Sequence, residues 1–172
     1  TPLYAAFTQH LTHGVRVLDA GCGSGRDAKA FHEMGYQVDA FDASSAMVEL
    51  ERQHTGLPVQ LMTFSEIDGK AHYDGIWCCA SLLHVPSSEL PAVMQKLADA
   101  LKPGGVWYVS FKYGNGERVQ GERRFTDLDE EGLQELLRAV PGMEIASLWT
   151  TQDNRPDRDE TWLNGILRKS AA

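Results

Sequence analysis

A glycine-rich turn between an apolar strand and a helix constrains this chain more than any other feature. Residues 17 to 27 read Val-Leu-Asp-Ala-Gly-Cys-Gly-Ser-Gly-Arg-Asp, and Asp42 stands seventeen residues beyond Gly25. Glycine lets the chain turn sharply and lets its backbone approach a ligand closely. The following helix leaves unpaired N–H groups at its N-terminus. Because an acid at the end of the next strand accepts hydrogen bonds from ribose hydroxyls, this order predicts a nucleoside-binding crevice.

Two other interpretations of the turn are weaker. A dinucleotide-binding domain has the fingerprint Gly-x-Gly-x-x-Gly, whose third glycine allows close packing of the helix on the strand. Here the third glycine, Gly25, comes one residue early, and Arg26 occupies the position that the fingerprint needs. An ordinary surface turn would not explain why two carboxylates, Asp19 and Asp42, stand at the ends of two strands.

Length and composition predict one globular domain over residues 1–172. The chain is long enough to bury a core, and its 42% hydrophobic and 23% charged residues are ordinary for a soluble protein. A net charge of −8 disfavours a nucleic-acid partner, because an acidic surface repels phosphates. No apolar run approaches the ~18–20 residues of a membrane span, so we expect no membrane partner. No targeting leader is visible either.

The cysteines and histidines indicate neither disulfides nor a metal. Three cysteines, Cys22, Cys78 and Cys79, form an odd set without a disulfide spacing, which favours a reducing, cytoplasmic location. Neither these residues nor the six histidines have the spacing of zinc ligands, so we expect no metal.

Strand and helix patterns alternate along the chain, which predicts a mostly parallel sheet covered on both faces. Seven strands are predicted, at residues 15–19, 37–41, 59–63, 74–80, 106–112, 144–151 and 162–169. The last two are joined by about ten residues without a helix and should pair antiparallel. A ligand of such a sheet binds beyond the carboxyl ends of the strands, where the strand order reverses.

Turn and capping residues predict the remaining elements. A first helix is expected over residues 3–13, and Ser88 should cap a helix that carries Pro91 in its first turn. Thr126 and Asp129 fit a short capping box for a later helix. Residues 114–124 are polar and contain three glycines, so we predict a long loop there, of the kind that is often functional.

Nearly the whole chain resembles the class I S-adenosylmethionine (SAM) dependent methyltransferases. The glycine turn preceded by Asp19 resembles their motif I. Residues 73–77, Tyr-Asp-Gly-Ile-Trp, and residues 101–106, Leu-Lys-Pro-Gly-Gly-Val, match two further patterns of the family. Residues 82–85, Leu-Leu-His-Val, are similar to small-molecule members, including tellurite-resistance-like ones. The resemblance implies one Rossmann-like α/β domain, with a seven-stranded, mostly parallel sheet, an antiparallel last strand and helices on both faces.

The resemblance also implies SAM as the cofactor and a set of residues that contact it. Asp19 would hold the amino group, Asp42 the ribose, and Ala43 with Met47 the adenine. Met47 also fits the core of the protein, because a helical apolar spacing suits both roles. The expected contacts are Asp19, Gly21, Cys22, Gly23, Ser24, Gly25, Asp42, Ala43, Met47, Phe64, Ser65, Ala80 and Ser81.

Two candidates for acceptor chemistry stand outside motif I. His84 is the only histidine close to the expected reaction centre, so it is a candidate general base, with a packing role before Pro86 as the alternative. Arg118, Arg123 and Arg124 lie in or beside the predicted loop and suit an anionic acceptor. A solvated loop of mixed charge explains these arginines equally well.

The sequence therefore predicts a SAM-dependent methyltransferase acting on a small-molecule acceptor. Two alternatives remain open: a catalytically inactive SAM-binding partner or sensor, and a nicotinamide-dependent oxidoreductase domain. The chain begins close to its first strand, so we expect a lid over SAM that is short, truncated or supplied by another chain. Neither the acceptor nor the oligomeric state follows from the sequence.

Overall fold

The structure, a computed structural model, describes residues 2–12, 14–21, 25–120, 123–152 and 160–170. Within these ranges helices and strands alternate over most of the chain, as predicted. The elements are α1 Pro2–Thr8, β1 Arg16–Ala20, α2 Arg26–Glu33, β2 Gln37–Asp42, α3 Ser45–Thr55, β3 Gln60–Leu61, β4 Tyr73–Cys78, α4 Leu90–Ala100, β5 Leu101–Lys112, β6 Gly116–Gln120, β7 Arg123–Asp127, α5 Glu130–Leu137, β8 Met143–Gln152 and β9 Thr161–Lys169. Two 3₁₀ turns, Phe64–Glu66 and Leu82–His84, follow β3 and β4.

Seven strands form one sheet in the order β3-β2-β1-β4-β5-β9-β8. The pairs from β3 to β5 are parallel, whereas β9 is antiparallel to both β5 and β8. The predicted fold class is therefore confirmed. Because the chain leaves β1 on one side for β2 and returns on the other for β4, the carboxyl ends of β1 and β4 flank a topological switch point.

The central strands are apolar because helices cover both faces of the sheet. On one face, Val17 of β1 and Trp77 of β4 pack with Phe7 of α1 and Phe31 of α2. On the other face the larger part of the core joins the central strands to α4 and α5. Within the described residues, no helix is long and apolar enough to cross a membrane.

Trp77 is the centre of the smaller core. Its fully buried indole stacks on Tyr108 of β5 with the ring centroids 4.1 Å apart. Three more aromatic rings, those of Tyr4, Phe7 and Phe31, lie within 5.1–5.5 Å of it at tilted angles. Such pairs add about 0.5–1.5 kcal/mol each beyond the burial of their surface. They fix α1 and α2 to the middle of the sheet.

The prediction of a loop over residues 114–124 is wrong. The segment contains most of an antiparallel hairpin, in which β6 pairs with β7 apart from the main sheet. β6 is polar and short, so it lacks the alternating apolar pattern that identifies a strand. Contacts with the chain after β4 hold the hairpin instead: Thr126 Oγ1 donates to the Val85 carbonyl at 2.8 Å, and the Ser87 N–H donates to Glu117 Oε1 at 2.6 Å.

Several predicted boundaries also move. Helix α4 begins at Leu90 with Glu89 in the capping position, so Ser88 is not the cap. Asp129 caps α5 alone, accepting from the Gly132 N–H at 2.8 Å, because Thr126 lies in β7 and uses its hydroxyl on Val85. The predicted third strand shortens to Gln60–Leu61, and the first helix ends at Thr8.

Removal of the Phe7 ring should strongly destabilise the fold. Phe7 of α1 is fully buried against Trp77. Truncating a buried phenylalanine to alanine typically costs ~3–5 kcal/mol. Urea unfolding of Phe7→Ala should show this loss. Leu50→Ala is the control, because Leu50 on α3 is half exposed and its truncation should cost less than about 0.5 kcal/mol. Equal losses in the two variants would contradict the assigned core.

Candidate functional site

A cavity of about 500 Å³ opens at the carboxyl ends of β1, β2 and β4, where the strand order reverses. Seven of the predicted cofactor contacts line it, together with the candidate base His84. The lining residues are Gly21, Phe41, Asp42, Ala43, Met47, Met62, Thr63, Phe64, Ala80, Ser81, His84 and Val85. Cys22, Gly23 and Ser24, which the sequence also placed here, lie outside the described residues.

Two positions at the ends of the glycine turn beside this cavity have no room for a side chain. Gly21 has a φ of +75°, and a Cβ added to it would lie 2.7 Å from the Ser81 Cβ. Gly25 precedes α2 with a φ of +82°, and a Cβ there would lie 2.9 Å from Glu51 Cγ. Gly21 therefore lies tightly against Ser81, which follows β4, and Gly25 lies tightly against α3. A ligand in the cavity meets bare backbone at this point.

Asp42 is held in place by the start of the next helix. Its half-buried carboxylate accepts a hydrogen bond from the Ser44 N–H at 2.9 Å. Ser44 in turn caps α3 by accepting from the Met47 N–H at 3.3 Å. Because Ala43 and Met47 belong to this same capped turn, all three predicted contacts stand on one wall of the cavity.

Phe64 belongs both to the cavity wall and to the core. Its ring meets that of Phe41 edge-on with centroids 5.5 Å apart, and it packs against the larger core. The hydroxyl of Ser65 lies 2.9 Å from that of Thr63, and Ser65 is not one of the residues that line the cavity. Phe64, an expected cofactor contact, therefore also belongs to the core.

Asp19 is a buried acid near the end of strand β1: it stands two residues before Gly21 and does not itself line the cavity. It is only 2% exposed, and no donor among the described residues reaches its Oδ2. Burial, and then the nearby carboxylates of Asp27 and Glu51, raise the pKa of Asp19 well above its usual range. Because acids crowd this turn, a positive group placed beside it would be stabilised.

His84 lies at the mouth of the cavity, at the end of the 3₁₀ turn that follows β4. Its side chain is exposed, its N–H donates to the Ser81 carbonyl at 3.3 Å, and its ring lies 5.2 Å from that of Phe125 on β7. The hairpin therefore fixes the position of this histidine. This geometry suits a base for a ligand in the cavity, and the catalytic role stays a prediction.

A second cavity, of about 240 Å³, lies on the opposite face of β4 and was not foreseen from the sequence. It shares one residue, Ala80, with the first cavity. Its walls come from α1, the start of α2, the two residues that follow β4, and the strands β5, β8 and β9. The lining residues are Leu3, Arg26, Cys79, Ala80, Tyr108, Ser110, Thr151, Trp162 and Asn164. The only signal in the sequence is that Ser110 and Asn164 interrupt apolar strands.

Ala80, the residue common to both cavities, has an unusual backbone. Its φ is +52°, in the left-handed region that costs a residue with a side chain roughly 1–2 kcal/mol. Its N–H donates to Ser110 Oγ at 2.7 Å, which holds it there. Strain of this kind persists where the surroundings over-determine the conformation, and it is common at ligand sites.

The three predicted arginines stand on the hairpin: Arg118 in β6, and Arg123 and Arg124 in β7. Their side chains lie outside the described part of the structure. A cation that the sequence did not single out, Arg26, begins α2 beside the second cavity. In the ranges that the structure describes, no three histidine, cysteine or acidic side chains gather as a metal site.

Comparison with known proteins identifies the family. Residues 17–105 match the family described as Methyltransferase domain. The chain belongs to this methyltransferase family. The match includes the glycine turn, Asp42 and strand β4 with Ala80 just beyond it, and it confirms the resemblance to class I SAM-dependent methyltransferases.

One similar curated protein is the ubiquinone biosynthesis O-methyltransferase of Xanthomonas axonopodis pv. citri, 35% identical over 104 residues. The match covers 56% of this chain and 43% of that protein, so the chain spans less than half the length of the curated relatives it matches.

Solved structures are similar over almost the whole chain. The Burkholderia thailandensis 1,6-didemethyltoxoflavin-N1-methyltransferase, solved with 1,6-didemethyltoxoflavin and S-adenosylhomocysteine, has a TM-score of 0.83 at 28% identity and covers 98% of this chain and 77% of its own. A SAM-dependent methyltransferase of Methanosarcina mazei has a TM-score of 0.84 at 18% identity, covering 100% and 99%. The second likeness shows the fold alone, and the fold agrees with that of the methyltransferase family.

Replacing Asp19 with asparagine should make stability less sensitive to pH. The folded state raises the pKa of this carboxyl, so its contribution to stability is full below the unfolded-state pKa and is lost as pH rises through the folded-state value. Asp19→Asn has no proton to lose, so its stability relative to the natural protein should be greater at pH 8 than at pH 4.5. Urea unfolding at both values measures this difference.

The exposed Asp99 on α4 gives the control, because Asp99→Asn makes the same chemical change at a side chain that stands in solvent, away from the crowded turn. If the stability difference between Asp19→Asn and the natural protein were the same at pH 4.5 and pH 8, Asp19 would not be the strained acid described above.

Proposed function

We propose that this chain is a SAM-dependent methyltransferase that transfers a methyl group to a small-molecule acceptor. The observation that carries the proposal is the cavity at the switch point, which brings together Gly21, Asp42, Ala43 and Ala80 in a chain of the methyltransferase family. These residues come from three strand ends, and their convergence supports one shared ligand. We further propose that residues 1–172 form one such domain.

The residues of the cavity fit SAM. Gly21 offers a cradle that a Cβ would fill, and Asp19 offers a buried carboxylate oxygen that no described donor reaches. The acids around the turn suit a ligand with a sulfonium and an ammonium group. Asp42 would accept hydrogen bonds from the ribose hydroxyls, and Ala43, Met47 and Phe64 would surround the adenine. Bound SAM would supply an electrophilic methyl group on its sulfur.

The chain's own residues then have two tasks, alignment and exclusion of water, because methyl transfer from a sulfonium is an in-line displacement. Ala80 and Ser81 at the end of β4 would face the reacting centre. An acceptor that must lose a proton also needs a base within hydrogen-bond reach, and His84 lies at the cavity mouth for that role. A soft or anionic nucleophile would not need His84.

The acceptor class is proposed from similarity and from charge. A ubiquinone O-methyltransferase and a 1,6-didemethyltoxoflavin N1-methyltransferase are among the similar proteins, and both names describe small acceptors. A net charge of −8 weighs against nucleic acid. Cys78 and Cys79 are free thiols, which supports the proposed cytoplasmic location.

The decisive experiment measures SAM binding by calorimetry and then the release of S-adenosylhomocysteine with a panel of small phenols, thiols and heterocycles. Binding followed by product release supports the proposal. Failure to bind SAM overturns the cofactor assignment, and the same experiment with NAD tests the oxidoreductase alternative. Binding without turnover across the panel supports the alternative of a SAM-binding partner or sensor.

Loss of the Asp42 carboxylate should weaken SAM binding at least tenfold. A charge-assisted contact to the ribose is worth about 1.5–3 kcal/mol. Calorimetry on Asp42→Ala measures the change, with Asp99→Ala as the control, since Asp99 lies on the exposed side of α4. Unchanged affinity in a folded Asp42→Ala protein would remove Asp42 from the ribose site.

Reversing the charge of the hairpin arginines tests whether the hairpin receives an anionic group of the acceptor. Arg118→Glu, Arg123→Glu and Arg124→Glu should each raise the KM for such an acceptor severalfold and leave SAM affinity near the natural value, because a repelled anion binds less often. Arg138→Glu at the end of α5 is the matched control. If all three hairpin variants behave like this control, the arginines only solvate the hairpin.

A further inference from the structure

Polar side chains interrupt one face of the sheet at its carboxyl edge. Lower on this face, Trp77, Tyr108 and Ile166 pack in the smaller core. One pair further up, Ser110 stands directly opposite Asn164 across the β5–β9 ladder. Residues two apart in a strand share a face. The same face of the sheet therefore changes from apolar at the Tyr108–Ile166 pair to polar at the Ser110–Asn164 pair. This is where the second cavity lies.

The polar groups of the second cavity form a network that is costly to bury. Tyr108 donates its hydroxyl to Asn164 Oδ1 at 2.5 Å, and Asn164 Nδ2 donates to Thr151 Oγ1 at 3.1 Å. Asn164 and Ser110 are each 2% exposed. A core of the same shape would be built more simply from apolar residues, since buried polar groups need partners. The network is therefore better explained by a ligand than by stability.

Asn164 keeps hydrogen-bonding capacity for such a ligand. An amide side chain has two acceptor lone pairs and two donor protons. Tyr108 occupies one lone pair, and Thr151 takes one proton. The second contact of Nδ2, to the Trp162 carbonyl, is 3.5 Å long and lies at the limit of a hydrogen bond. Asn164 can therefore donate to and accept from one ligand edge.

The second cavity has little charge to offer. Among the described residues its lining contains no acid, and the one cation there, Arg26, is mostly exposed and lies 3.5 Å from the Asp27 carboxylate. Burial raises the pKa of the Cys79 thiol to about 12, so it is neutral at physiological pH. The next cation along β5, Lys112, is already paired with Glu160 at 3.1 Å. The part of the lining that the structure describes would therefore leave an ionised group inside without a counter-charge.

The size and position of the second cavity further restrict what it can bind. A volume of about 240 Å³ is below the ~300–1,000 Å³ of pockets for drug-sized ligands, so only a small ring system fits. The half-buried indole of Trp162 gives one flat wall. Ala80 lines this cavity and the larger one, so the two cavities adjoin at this residue.

We infer that the second cavity binds the methyl acceptor, and that the part inserted is an uncharged, planar group with adjacent hydrogen-bond donor and acceptor, such as the lactam edge of a heterocycle, bound by Asn164. This inference rests on the proposed function. The hairpin arginines would then contact only substituents that project out of the cavity.

Uracil and orotate test the inference as a matched pair of ligands. Both carry the same lactam ring, and orotate adds a carboxylate directly on it. Each is titrated into ¹⁵N-labelled protein, with and without S-adenosylhomocysteine, while the indole N–H of Trp162 and the side-chain amide of Asn164 are followed by NMR. Uracil should shift both signals saturably, and orotate should bind at least tenfold more weakly.

Variants of Asn164 make the test specific. Asn164→Leu removes both hydrogen-bonding groups, and Asn164→Asp keeps the shape of the side chain while removing its N–H donors. Each should weaken uracil binding at least tenfold, because a site built for hydrogen bonds rejects a ligand that leaves them unmade. Affinity for S-adenosylhomocysteine should change less than twofold. Asn115→Leu, in the exposed turn before β6, should change neither.

Three results would overturn the inference: no uracil-dependent shift at Trp162 and Asn164, orotate binding as tightly as uracil, or full uracil affinity in a folded Asn164→Asp protein. Failure of the proposed function gives a different result, the absence of S-adenosylhomocysteine binding by the natural protein. The titration without that nucleoside still decides what the second cavity binds.

Discussion

The packing of Trp77 connects every part of the site to the sheet. Its indole stacks on Tyr108 of β5 and meets rings from α1 and α2. Its Nε1–H donates to Asp27 at 2.9 Å, and Asp27 also accepts from the Tyr4 hydroxyl. Asp27 lies just beyond the glycine turn. Through Asp27, the Trp77 side chain therefore sets the distance between the turn, the first helix and the end of β4. Both cavities depend on that spacing.

Two kinds of strain are concentrated where those elements meet. Asp19 is buried among acids, and Ala80 has a left-handed backbone. Neither contributes to the stability of the chain alone. Ala80 lines both cavities, and Asp19 lies two residues before Gly21, which lines the larger one. Sites that bind ligands commonly retain groups that the fold would be more stable without. This pattern is independent support for a ligand at the switch point.

Local patterns made much of this structure predictable. The glycine turn, Asp42 and the last two strands were recognised because each depends on residues close together in the chain. The β6–β7 hairpin was missed because its strands are polar and are held by Val85 and Ser87, which precede it by some thirty residues. The second cavity was missed for the same reason: Ser110 and Asn164 become neighbours only through the register of β5 and β9. The prediction that Ser88 caps α4 was wrong because packing decides which of several neighbouring polar residues stands at the start of a helix.

The buried carboxylate of Asp19 also has a consequence for the abundance of the protein in a cell. A cationic ligand that binds only the folded chain stabilises it in proportion to the logarithm of its free concentration. The chain without that ligand retains an uncompensated acid in its interior and unfolds more readily. Quality-control proteases act on the unfolded fraction, and a change of one or two kcal/mol alters abundance severalfold. The amount of this protein should therefore follow the supply of its cofactor, without any dedicated regulator.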